Sequence, residues 1–397
     1  MRKTLLIALF PLLLMGCADD VPMVNLGIDD VYYIPRMKKL VLQPALTGES
    51  YQWTVNGEIV STAKDYIFIA AAEGRYEVEL KIIDPDTPYD FTFDVNVIHE
   101  EVEYSPYISK VYEYCPAPGQ FVNEMPRFEA GDSYASILQK TEESISGTND
   151  VMITLGGFGG YVTFGFDHTV MNIPGEKDFR IWGNCFYELL QPEKKGGSAE
   201  PGIVMVSLDR NCNGLPDDEW YELAGSEYSA PSTKRGYAIT YHRPDPDRPI
   251  VADDDNSLDD IFYIRWDDND GNVGYMPKNI FHNQDYFPKW VTQDAISFSG
   301  TLLPPNAEDL SGYGTYYVLY SYPWGYVDNH PNEYAELNSF DISWAVDSAG
   351  NCVDLPGADF IRVYTGVNQY CGWLGETSTE LSRAQDLHID LPGLPVP

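Results

Sequence analysis

The sequence predicts an all-β protein, a small N-terminal β-sandwich followed by a larger β-sandwich region, and three observations carry that expectation. Apolar residues recur in short runs, several with the period-two alternation of a half-buried strand. Gly 33 and Pro 28 interrupt the chain so often that long bundle helices and coiled coils are excluded. Hydrophobic residues make up 44% and aromatics 14% of 397 residues, too much for a disordered acidic polymer and enough for sizeable cores. The charge balance excludes another class. With 25 basic against 61 acidic side chains the formal charge is −36, and a surface of that sign does not bind nucleic acid.

At the N-terminus Arg2 and Lys3 precede an apolar run from Leu5 to Met15, too short to span a bilayer but fitting a signal peptide. The run ends in Leu14-Met15-Gly16-Cys17, which resembles a bacterial lipoprotein signal. The Ala18-Asp19-Asp20 that follows resembles the acidic tag of surface-exported lipoproteins in gut-type Gram-negative bacteria. These resemblances imply a signal peptide and lipobox over 1–17, lipidation of Cys17, a tether over 18–37, and a protein anchored to the outer membrane at the cell surface without spanning it. Five other cysteines follow, Cys115, Cys185, Cys212, Cys352 and Cys371. None forms a CxxC pair, which leaves thiolate metal sites without support, and although an exported chain could pair four of them, spacing does not say which.

Residues 38–100 read as a compact all-β module. Tyr51 to Val55 leads into Asn56-Gly57, a tight-hairpin signal, and then Glu58-Ile59-Val60. Tyr66 to Ile69, the alternating Tyr76 to Ile82 and Phe91 to Val97 supply further strands. The Tyr51-x-Trp53 strand and Glu73-Gly74-x-Tyr76-x-Val78-x-Leu80 resemble landmarks of the immunoglobulin-like PKD family, which implies a spacer module.

Residues 105–397 are expected to form one or two jelly-roll-like β-sandwiches. A short helix is expected between Tyr134 and Thr141. The glycines of Gly156-Gly157-Phe158-Gly159-Gly160 lack the Lys and the following helix of a phosphate loop, so they read as a tight connection between strands. Ile203 to Leu208, Gly236 to His242, Asp260 to Trp266 and Thr315 to Tyr320 are strand-like. Pro174 to Asn184 echoes Pro356 to Gly366, either as an internal duplication or as two similar strand pairs.

The densest chemistry lies in Asp209 to Trp220. Oxygen side chains fall at positions 1, 3, 5 and 9 of the loop, with Gly214 at position 6 to allow the turn that brings alternate oxygens inward. This resembles the calcium loop of EF-hand and dockerin-type families. The resemblance implies a structural calcium on Asp209, Asn211, Asn213, Asp217 and the Leu215 carbonyl. Trp220 stands where an acidic twelfth ligand belongs, so Glu219, Asp218 or Glu222 would substitute; a solvated acidic loop is the alternative. Two further clusters, Asp253 to Asp260 and Asp267 to Asn272, read more simply as turns.

No HExxH, GxSxG or close histidine cluster occurs, so no catalytic residue is assigned. Tyr322, Trp324 and Tyr326 are the candidate ligand-stacking residues, because Pro323 and Gly325 break their strand and should leave the rings at a loop rim. Taken together, Gly156 to Gly160, Glu200-Pro201-Gly202, Asn213 to Glu222, Phe340 to Asp347 and Gly372 to Ser378 resemble a Bacteroides-type family of PKD-like-domain-containing cell-surface lipoproteins. That resemblance implies non-catalytic capture of an extracellular ligand, a glycan or a cobamide, for an outer-membrane uptake system with a TonB-dependent transporter. A structural or adhesive surface protein and a glycan-acting hydrolase are the alternatives.

Overall fold

The computed structural model describes residues 25–84, 88–189 and 192–389. Cys17 and residues 18–24 of the tether lie outside the described residues. The chain is all-β, built of several antiparallel sheets, and divides into two compact units: one of residues up to Tyr32 with Leu42–Tyr66 and Tyr76–Val95, the other of Tyr33–Val41, Ile67–Arg75 and the chain from Asn96 onward.

In the N-terminal region five strands form one sheet in the order Val31–Pro35, Tyr89–Ile98, Gly74–Ile83, Ser50–Val55, Glu58–Ser61. The alternation read from the sequence is the alternation of burial: Val78, Leu80 and Ile82 point inward, as do Phe93, Val95 and Val97. Asn56 and Gly57 both take positive φ, 50° and 88°, as a two-residue hairpin of this hand requires. Trp53 is fully buried, its Nε1 donating to the Ala63 carbonyl at 3.0 Å.

The second unit is organised around a six-stranded antiparallel sheet in the order Ala345–Val346, Trp220–Leu223, Gly202–Ser207, Phe360–Thr365, Tyr161–Gly165, Lys110–Cys115. Both faces are covered, which explains why its central strands read as continuous apolar runs. Val204, Val206, Ile361 and Val363 enter one core, together with Ile137 and Ile145 of the helix Tyr134–Ile145. Ile203 and Tyr364 enter a second core shared with Tyr237, Ile239, Tyr241 and Ile264. The last four belong to an antiparallel four-stranded sheet ordered Val273–Asn279, Leu258–Asp268, Lys234–His242, Ala295–Leu302. The arrangement is sandwich-like.

The helix runs four residues past its expected end, to Ile145, because Ile137, Thr141 and Ile145 recur every four residues on one buried face. Ser133 caps its start in a reciprocal bond with Ser136. The glycine cluster serves close packing: a Cβ on Gly156 would lie 2.0 Å from the Ala117 carbonyl oxygen, and one on Gly160 1.9 Å from that of Leu155. The two echoing segments occupy different places. Phe179–Trp182 lies between Ser339–Phe340 and Arg383–Asp386 in a three-stranded sheet, while Phe360–Thr365 is central in the six-stranded one. All five cysteines among the described residues are free thiols.

Candidate functional site

Three acidic side chains far apart in sequence meet inside the second unit. Glu200 precedes the strand Gly202–Ser207, Asp328 follows the strand Tyr317–Tyr320, and Glu380 opens a two-residue strand paired with Ile153–Thr154. One carboxylate oxygen of each lies within 4.8 Å of the others, a buried acidic cluster able to coordinate a metal ion. The backbone is shaped to hold it. Asp328 takes a left-handed φ of 54°, and its carboxylate accepts the N–H groups of Asn184 at 2.7 Å, Cys185 at 2.8 Å and Glu380 at 3.0 Å. Gly183 makes the approach possible, since a Cβ there would sit 2.5 Å from Asp328 Oδ1. Glu380 Oε1 accepts the hydroxyls of Ser378 at 2.7 Å and Thr154 at 2.8 Å, and Glu200 accepts the Ser378 N–H at 3.1 Å.

Electrostatically the cluster is unusual for this protein. Several other buried acids have a cationic partner, His168 for Asp386, His388 for Asp178 and Arg248 for Asp260, whereas Glu376 has none among the described residues. Among the described residues no ion pair reaches Glu200, Asp328 or Glu380. Two carboxylate charges about 5 Å apart repel by roughly 3 kcal/mol at an effective dielectric near 20. Burial, followed by the Glu380 and Asp328 charges, accordingly pushes Glu200 well above the usual carboxylate range. Burial and the Glu380 charge do the same to Asp328 against the pull of its three N–H donors, and burial also raises Glu380. Without a cation, a proton held within the cluster relieves the repulsion.

Glu200 and Glu380 line a cavity of about 570 Å³. Glu376 lines it too; its Oε1 accepts the Gln120 N–H at 2.6 Å, its Oε2 has no partner, and burial pushes its carboxyl up to about 8. Phe186, Tyr316 and Trp373 contribute exposed aromatic faces to the same cavity. Trp373 is fixed by its Nε1 bond to the Thr315 carbonyl at 3.0 Å and by an edge contact with Phe281. A second cavity, about 620 Å³, carries Arg243, Arg248, Lys278 and Lys289: Arg243 donates to the Val291 and Gln293 carbonyls, Arg248 and Lys289 pair with Asp260 and Asp285, and Lys278 lies over the Tyr263 ring. The first cavity is the one that adjoins the acidic cluster.

The candidates read from the sequence lie elsewhere. Tyr322 and Tyr326 are not at a rim: both are buried in the second core, the Tyr322 hydroxyl donating to the Pro304 carbonyl and the Tyr326 hydroxyl accepting the Glu227 N–H at 2.9 Å. The Pro and Gly break the strand but turn these rings inward. Only Trp324 is exposed, packed on Trp344 with ring centroids 4.6 Å apart. In the Asp209–Glu219 loop, Asp209 accepts N–H groups from Asn213 and Gly214, and the side-chain amides of Asn211 and Asn213 donate to Asp217. Those four side chains are thus brought together; Leu215 is exposed, its N–H bonded to Asn213 Oδ1, and Glu219 accepts from the Tyr221 hydroxyl. The cluster at Asp267 to Asn272 is a hairpin turn, with Asp268 accepting the Asp270 and Asn272 N–H groups.

Sequence reasoning singled out neither Asp328 nor Glu380 and took Glu200 only as part of another motif. Their separation along the chain leaves no spacing to read. The one local signal is the run Thr377-Ser378-Thr379-Glu380, three small hydroxyl residues before an acid, all buried.

No family model matches the chain, and no curated protein does. Among solved structures it is similar to a quinonprotein alcohol dehydrogenase-like protein from Bacteroides thetaiotaomicron, at 15% identity over 21% of this chain and 20% of that one, with a TM-score of 0.17. It is also distantly similar to a SusE-like protein, at 10% identity over 89% and 94% of the two chains with a TM-score of 0.27. A carbohydrate-binding module of the β-sandwich superfamily matches at 12% identity over 89% and 93%, with a TM-score of 0.15. The chain spans a fifth of the first of these. Likeness at this level assigns neither a site nor a ligand. Among the described residues no helix is long and apolar enough to cross a membrane.

Proposed function

We propose that the protein is a cell-surface lipoprotein, held in the outer membrane through Cys17, that captures an extracellular glycan in the 570 Å³ cavity. The observation that supports this most is the meeting in one space of exposed aromatic faces, Phe186, Tyr316 and Trp373, with a buried polar floor. Sugars suit that combination, offering C–H faces to rings and hydroxyls to carboxylates. A cobamide is much larger than one sugar ring and would leave most of its surface outside, which favours the glycan. Delivery to a TonB-dependent transporter is the role that follows from anchoring at the surface. In this reading 38–100 is an immunoglobulin-like spacer, 105–397 is the jelly-roll-like region bearing the site, and calcium on the Asp209–Glu219 loop stabilises it.

Hydrolysis is less well supported. Glycosidases hold two carboxyl groups about 5–9.5 Å apart with the scissile bond between them. One carboxylate oxygen each of Glu200, Asp328 and Glu380 lies within 4.8 Å of the others, closer than that spacing.

The test is calorimetric titration of the purified protein with surface glycans and with cobamides, repeated on Trp373→Ala. Loss of an aromatic hot spot costs about 2 kcal/mol, roughly a thirtyfold weakening. A glycan that binds the parent and loses this much on Trp373→Ala supports the reading. Failure of every glycan to bind, or binding indifferent to Trp373, overturns it.

A further inference from the structure

We infer a divalent-cation site of the calcium class at the floor of the cavity, formed by the cavity-lining Glu200 and Glu380 with Asp328 beside them, and with Glu376 lining the same space. This site is separate from the Asp209–Glu219 loop and does not depend on which ligand, if any, the cavity takes.

Two independent observations carry the inference. The first is the cluster itself: three carboxyls with one oxygen of each within 4.8 Å of the others and no basic partner among the described residues, unlike the buried Asp178, Asp260 and Asp386. The second is Glu376. It is 5% exposed and lines the cavity with Glu200 and Glu380, yet its Oε2 is buried and makes no hydrogen bond. A buried carboxylate oxygen without a partner is costly, and a cation or cation-bound water in the adjoining space removes that cost.

The chemistry of the donors narrows the ion. All four acids offer hard oxygen, and neither imidazole nor thiolate joins the cluster, which points away from zinc and copper. Calcium, with bonds of about 2.3–2.6 Å and flexible geometry, tolerates a spread of oxygens of up to 4.8 Å better than magnesium, whose bonds of about 2.0–2.1 Å and octahedral geometry are strict. The Ser378 and Thr154 hydroxyls, each already against Glu380 Oε1, add neutral oxygens nearby. Because Glu200 and Glu380 line the cavity, an ion has a path in and an outward face for water.

The competing account is that the three acids merely share a proton. Calcium itself is the probe that separates the two. The purified protein is stripped with EDTA and titrated with calcium, with bound ions counted by native mass spectrometry, in an Asp209→Ala background so that the outer loop cannot contribute. One calcium should still bind, and adding Glu200→Gln with Glu380→Gln should weaken it at least a hundredfold. Gln keeps the shape and removes the charge repulsion, so these variants should melt no lower than their parent in EDTA while losing the upward shift that calcium gives the parent. If the Asp209→Ala protein binds no calcium, or if the two Gln substitutions leave its affinity and calcium-dependent melting shift unchanged, the inference is wrong.

Discussion

Tyr326 and Trp324 stand two residues apart and have opposite fates, which marks how far residue identity alone carries a prediction. Both are large aromatics beside a helix- and strand-breaking residue, yet Tyr326 is fully buried against Tyr322 while Trp324 lies half out of the surface. Sequence shows which residues are aromatic; which face of a broken strand they take is set by neighbours distant in the chain, here Gly225, whose lack of a side chain admits the Tyr326 ring. Replacing Tyr326 by Ala should cost about 3–5 kcal/mol in a denaturant melt, as for other large core truncations, while Trp324→Ala should cost under about 1.5 kcal/mol. Equal losses would contradict the assignment of core and surface. His168 gives a prediction in pH. Its side chain is buried between Asp386 and Asp167, each at 2.7 Å; burial lowers its pKa, but the two carboxylates outweigh that and raise it above the ordinary histidine value. A group whose folded pKa is raised adds stability that is complete below the unfolded value near 6.5 and is lost as pH climbs through the folded one. Thermal stability should therefore fall with rising pH from about 6.5 upward, and His168→Gln should flatten that part of the curve; an unchanged slope would assign it to other groups.

At the scale of elements, most of the architecture was legible. The period-two runs at Tyr76 to Ile82 and Phe91 to Val97, the Asn56-Gly57 hairpin and the apolar run at Ile203 all name strands, because alternation and burial are local consequences of the pleat. What could not be read is the order in which strands join. The six-stranded sheet brings Lys110–Cys115 and Phe360–Thr365 to opposite edges of Tyr161–Gly165, a pairing fixed by tertiary packing and not by spacing. The Asp209–Glu219 loop is an element whose role rests on its sequence pattern, and its side chains do converge. Chelation should lower the melting temperature through loss of an ion that binds only the folded loop, and Asp209→Ala should remove part of that response, leaving the part due to the cavity floor. A response to EDTA identical in parent and Asp209→Ala would show that this loop is merely a turn.

For the molecule as a whole, the charge balance argued against non-specific nucleic-acid binding and the short apolar runs forecast an all-β chain, but the candidate site was nearly invisible. Its acids come from three distant segments, and among 61 acidic residues no sequence rule distinguishes Glu200, Asp328 and Glu380. Only the fold brings them together, with Glu200 and Glu380 lining a cavity beside Glu376 and the aromatic faces of Phe186, Tyr316 and Trp373. The most direct measurement is a crystal structure of the protein with its tightest-binding glycan. The account predicts a sugar ring stacked on Trp373 inside the cavity, with hydroxyls reaching the Glu376 carboxylate. A sugar seated on Trp324 and Trp344, or anywhere else with the cavity left unoccupied, would contradict it.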